Sequence, residues 1–171
     1  MKSTNRVFLN AIMPNRAVIL IPDSSSASVG TADHTISKSE LRTAALQHIN
    51  DVARGLNFIA GLIKEAGENH DHTKIEKFED YFNYFRKAQE TGVKSWNWCN
   101  EIHAKEERHH IEQYHHEDVN LIDVLEHIVD GVMAGVGRSG EYTPDNIPSE
   151  LLVKAYRNTQ NLVAGLVKRE N

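Results

Sequence analysis

The sequence predicts an all-α protein: a single bundle of about five helices with a short strand-and-loop appendage at its N-terminus. Three observations lead there. Beyond Ser37, apolar residues recur at spacings of three and four through most of the chain. Residues suited to capping a helix N-terminus open three of these periodic segments. Only Arg16-Ala17-Val18-Ile19-Leu20-Ile21-Pro22 combines a β-branched run with a closing proline.

That run reads as a strand. A lone strand makes no sheet, so it must pair with Val7-Phe8-Leu9, dock as an edge or pair with another chain. The serine-rich loop Asp23–Gly30 follows, and residues 1–36 together form the appendage to a helical domain over 37–171. The first helix opens on Ser37-Lys38-Ser39-Glu40, a capping box in which serine and glutamate each satisfy a backbone amide of the other. Its stripe is Leu41, Ala45, His48, Val52, Leu56, Ile59 and Ile63, and Gly67 is expected to end it. A second helix runs from about Ile75 through Phe78, Tyr81, Phe82 and Phe85 to Gln89, with Thr91-Gly92 as its stop. A third covers Trp96 to about His116. The fourth, opened by Asp118 or Asn120, carries Leu121, Ile122, Leu125, Ile128, Val129 and Val132. Pro144 and Pro148 mark a loop, after which Ser149 caps a last amphipathic helix through Leu166.

Composition narrows the function. A chain of 171 residues, 40% hydrophobic and 25% charged, suits one globular domain with a real core. The net charge of −5 argues against a surface that coats nucleic acid, but not against a nucleotide substrate, because a bound metal brings positive charge locally. One cysteine, Cys99, precludes an intrachain disulfide framework, and no apolar run approaches the roughly 20 residues of a membrane span. The chain reads as soluble and cytoplasmic, with self-association left open.

Histidine is the outlier. Of ten, seven lie between His70 and His116, and imidazole is the commonest metal ligand. His48 sits on the apolar stripe of the first helix and is expected to point inward. His70-Asp71 follows at the end of that helix, where a turn lets both side chains face one point. His103 and His110, seven apart, share a helix face, and His109 is rotated from it by one residue. His115 and His116 read as a solvated helix end. Asp123 and Asp130 share a face on the fourth helix. Asp130 is the preferred ligand because apolar neighbours make an unpaired carboxylate costly there, whereas Asp123 also suits an early-turn role at helix amides. Mixed imidazole and carboxylate ligands suit Mn, Fe, Co, Ni or Zn better than Ca.

The order His48, His70-Asp71, then a late helical aspartate resembles the HD-domain phosphohydrolase superfamily. More closely, Asn69-His70-Asp71-His72-Thr73-Lys74, Arg108-His109-His110 and the stretch ending at Asp130 resemble a family of small uncharacterised proteins common in bacteria and bacteriophages. The HD resemblance implies that His48, His70, Asp71 and Asp130 hold a divalent metal, with His103 and His110 available for a second ion or as acid and base. It implies hydrolysis of a phosphate ester, most simply a nucleotide, in the host cytoplasm if the chain is phage-encoded. Lys74 and Arg108 would neutralise phosphate, and His109 would serve the chemistry. Lys74 stands where HD nucleotidases carry a glutamate. Two other readings fit the same ligands: a di-iron oxygenase of HD type, and a non-catalytic factor that binds a small molecule or a host protein.

Overall fold

The computed structural model describes residues 19–22, 37–92, 102–113 and 116–170. The all-α expectation holds. The described helices are α1 (Lys38–Asn69), α2 (His72–Glu76), α3 (Phe78–Thr91), the single turn α4 (Ala104–Glu106), α5 (Leu121–Ser139) and α6 (Ser149–Leu166), with two short strands, β1 (Ile19–Pro22) and β2 (Val167–Glu170). The chain divides into one unit of Met1–Ala60 with Asn161–Asn171 and another of Gly61–Gln160.

In the first unit, the strand finds its partner at the other end of the chain. Ile19–Pro22 pairs in parallel with Val167–Glu170, with Ile19 opposite Val167. The expected partner Val7-Phe8-Leu9 and the serine-rich loop lie outside the described residues. The capping box forms as predicted: Ser37 N–H donates to Glu40 Oε2 at 2.8 Å, and Glu40 N–H donates to Ser37 Oγ at 3.2 Å. Ala44 is buried on α1, whereas Leu41, Val52 and Leu56 are exposed.

The second unit holds the core of Ile111, Val119, Val124, Leu151 and Ala155, with Leu121 and Ile147 packed against it. Gly67 does not end α1, which runs two residues further to Asn69. A glycine inside a helix costs only about 1 kcal/mol, and a helix with other support absorbs it. The predicted second helix is two, α2 and α3, broken at Lys77 and closed by Gly92 in the left-handed conformation (φ 66°).

The third helix is the main departure. A π-helical turn at Ile102–His103 leads into α4, and Glu107 then turns extended, so residues 107–113 form successive turns. The expected start at Trp96, and His115, lie outside the described residues. Tertiary hydrogen bonds explain the break. Buried Glu107 accepts from Thr73 N–H at 2.8 Å. Arg108 makes a two-pronged contact with Asp123, its Nε and a terminal nitrogen each 2.7 Å from a carboxylate oxygen, and also reaches Asp118 at 3.2 Å.

Asn120 caps α5. Its Oδ1 accepts from Ile122 N–H at 2.8 Å, and Asp123 Oδ2 accepts from Asn120 N–H at 2.9 Å. Asp123 thus takes the early-turn role foreseen for it as the alternative to metal ligation. Burial pushes its carboxyl up, and the Arg108 guanidinium opposes that shift. Replacing Asp123 by alanine should cost about 3–5 kcal/mol in denaturant unfolding, because Arg108 is left largely buried without its countercharge. Asn120→Ala should cost about 1 kcal/mol.

Candidate metal centre

The site is built around the turn that joins α1 to α2. Asp71 there has φ 57° and is the single described non-glycine residue with positive φ. Aspartate tolerates this region better than most residues, and such strain persists only where the surroundings hold it. The turn brings the Asp71 carboxylate against three imidazoles, that of His103 from the turn leading into α4 and those of His109 and His110 from the irregular segment after it. Asp71, His103, His109 and His110 each offer a ligand atom, all within 4.8 Å of one another. That is close to the roughly 4 Å across which one ion with bonds of about 2.1 Å spans opposite donors. His103 Nε2 lies 3.2 Å and His109 Nε2 3.6 Å from Asp71 Oδ1. The His110 ring meets that of His103 at 4.7 Å and that of His109 at 4.3 Å.

Two atoms of this group are buried, His110 Nε2 without a hydrogen-bond partner and Asp71 Oδ1 with the Nε2 atoms of His103 and His109 as its neighbours. Buried polar atoms are satisfied in the great majority of cases, and a cation shared by these two would satisfy both. Burial, with the neighbouring imidazoles His109 and His103, holds His110 down at about 3, so its nitrogen keeps a lone pair at neutral pH. Burial would raise the Asp71 carboxyl, but the His103 imidazole and the Lys74 ammonium outweigh it and hold the group well below the usual carboxylate range. One carboxylate and three imidazoles make the mixed donor set that suits a divalent transition metal.

Supporting contacts fix the imidazole orientations. Thr73 Oγ1 is 2.7 Å from His103 Nδ1, which leaves Nε2 toward Asp71. Glu126 Oε1 lies 3.1 Å from His109 Nδ1 and 2.9 Å from His70 Nδ1. Burial would raise Glu126, but hydrogen bonds from His109 and His70 hold it at about 2, so it is ionised and can only accept. Both Nδ1 atoms therefore donate to Glu126, which directs His109 Nε2 toward Asp71. A carboxylate that orients a ligating histidine in this way is usual at metal sites.

His70, His109 and Glu126 form a second donor group sharing His109, and the His70 and His109 rings lie 4.3 Å apart. His70 Nε2 faces Asp130 Oδ1 at 3.4 Å and Asp71 Oδ2 at 3.5 Å. Hydrogen bonding to Glu126 raises the His70 pKa. Lys74 ion-pairs with Asp71 Oδ2. A third group, Glu112, His127 and Asp145, is more exposed, and His127 Nδ1 reaches back to His109 O at 2.9 Å.

Residues 37–163 match a family described as a family of unknown function (DUF5662). The chain belongs to that family. No curated protein and no solved structure matches it. The matched span takes in every donor above and leaves out β1 and β2.

Of the residues proposed from sequence, His70, Asp71, His103, His109, His110, Lys74 and Asp130 lie in this constellation or border it. His48 does not join the donor groups. It is exposed in the other unit, on a stretch of α1 whose apolar stripe is itself solvent-facing, so the expected inward orientation is corrected. Arg108 and Asp123 neutralise each other at the start of α5, which takes Arg108 away from substrate and Asp123 away from metal. Buried His116 corrects the reading of a solvated helix end, since burial lowers its pKa. Sequence reasoning missed Glu126, Thr73 and Glu107. For Glu126 a signal existed: it lies four residues before Asp130 on one helix face.

Acid should expose the His110 arrangement. With its folded pKa near 3 against 6.5 when unfolded, the folded state binds fewer protons between those values, so stability is lost as pH falls through that window. Raised His70 contributes fully below pH 6.5, so it adds no slope there, and Glu126 acts only below about 4.5. In chelator-treated protein, His110→Gln should flatten the fall in unfolding free energy between pH 6.5 and 4.5, leaving the share of His116.

Proposed function

We propose that this protein is a metal-dependent hydrolase of phosphate esters. The observation that carries the proposal is a four-residue donor set in which His110 Nε2 is buried without a hydrogen-bond partner and buried Asp71 Oδ1 faces the Nε2 atoms of His103 and His109. Asp71, His103, His109 and His110 would hold the ion, which supplies a Lewis acid and a water of lowered pKa. Glu126 keeps the proton of His109 on Nδ1 and so keeps Nε2 available. His70, oriented by the same carboxylate, presents Nε2 beside Asp130 and is placed to accept a proton from an attacking water. Lys74 balances part of the charge of Asp71, and its partly exposed ammonium adds a positive group near the donors. The HD resemblance supports phosphate chemistry, although His48 lies outside the donor groups, so the ligand set proposed here differs from the HD pattern.

The test uses the full chain purified without chelator, then supplied with Mn, Co or Ni, and assayed anaerobically for phosphate release from nucleotides and simple phosphate monoesters. At least one equivalent of metal and turnover in the absence of oxygen are expected. Asp71→Asn should lose both, His48→Ala should lose neither, and Asp130→Ala should keep the metal while kcat drops more than tenfold. Protein that takes up no metal, or an iron form that consumes oxygen while every ester stays intact, would overturn the proposal, the latter in favour of an oxygenase.

A further inference from the structure

Beside the donors lies a cleft of about 250 Å³. One wall is Ile63, Ala66 and Gly67 of α1, and the other is Ile122, Leu125 and Val129 of α5. Its remaining lining is His70, Glu126 and Asp130. Among the described residues no lysine or arginine lines it, and its acidic groups Glu126 and Asp130 oppose an anion, so a phosphoryl group is disfavoured inside. The volume is below the roughly 300–1,000 Å³ of drug-sized pockets. Apart from His70 and the two carboxylates, the lining side chains offer nothing to read the hydrogen-bonding edge of a nucleobase. The His70 ring connects cleft and centre, since its centroid lies 4.3 Å from that of His109.

Resting on the hydrolase reading, we infer that the cleft binds the alcohol portion of the substrate, and that this portion is a compact apolar group of branched-alkyl or small-ring size. The phosphoryl group then sits at the metal donors, and the ester oxygen lies between them beside His70. Burying the hydrocarbon against the walls supplies the selectivity, because apolar area removed from water is the one favourable interaction those walls offer. A glycerol or sugar ester would leave unpaired the hydroxyls that face those walls.

Gly67 gives a direct test, because a Cβ built on it meets nothing within 4 Å. A larger side chain at this position enters open space, and leucine is a better helix former than glycine. The probes are 3-methylbutyl phosphate and glycerol 3-phosphate, both esters of primary alcohols, with the Mn-loaded full chain. Wild type should favour the first by at least tenfold in kcat/KM. Gly67→Leu should raise its KM about tenfold or more, in the range that one or two carbons command in an apolar pocket, with metal content unchanged. Val129→Asn, which makes one wall polar, should act in the same direction. Methyl NMR of Ile63 and Leu125 during titration with 3-methylbutyl phosphate reads binding without turnover, and the shifts should vanish in Gly67→Leu. Equal kcat/KM for the two esters, an unchanged KM in Gly67→Leu or absent methyl shifts would overturn the inference while the hydrolase stands. Methyl shifts without phosphate release under any metal would support the cleft and overturn the hydrolase.

Discussion

Withdrawing one oxygen of Asp71 from water beside three imidazoles is the constraint on which the rest of the site depends. A carboxylate so placed is costly unless it is compensated. The Lys74 ammonium holds its other oxygen, and the left-handed turn directs the group inward. The same demand explains why the chain leaves helical geometry after α4. A regular helix would carry His103 and His110 on one face and turn His109 aside. The observed turns bring all three rings to one carboxylate, with Glu107 tied to Thr73 and Arg108 tied to Asp123 on either side.

Glu126 gives the constellation its direction. One ionised oxygen accepts from both His70 and His109, which fixes two tautomers at once and separates two tasks. His109 faces the donors, while His70 faces Asp130 and the apolar cleft. A candidate metal donor and the histidine that lines the cleft thus share a single anchor on α5. The capped start of that helix is in turn held by Arg108, which adjoins His109 in sequence.

Much of the helical layout was legible in the sequence because it depends on local chemistry. The Ser37–Glu40 box and the Asn120 start follow from hydrogen bonds between residues a few positions apart, and the Gly92 stop from the ease with which glycine takes positive φ. Asp71 and the three imidazoles were legible as residue types, because few alternatives explain so many histidines in a short segment. How they meet was not legible, since it rests on contacts 30 or more residues apart, such as Thr73 with His103 and with Glu107. His48 shows the complementary failure. An apolar stripe states which face is hydrophobic, but not whether anything covers it, and on that part of α1 Leu41, Val52 and Leu56 remain exposed. The parallel partner of β1 escaped for the same reason, lying at the far end of the chain.

The most direct measurement is anomalous diffraction from crystals of the protein loaded with Mn or Zn. The account predicts a peak within about 2.0–2.3 Å of Asp71 Oδ1 and His110 Nε2, with His103 and His109 completing the ligands. A peak confined to Glu112, His127 and Asp145, or no peak in loaded crystals, would contradict it.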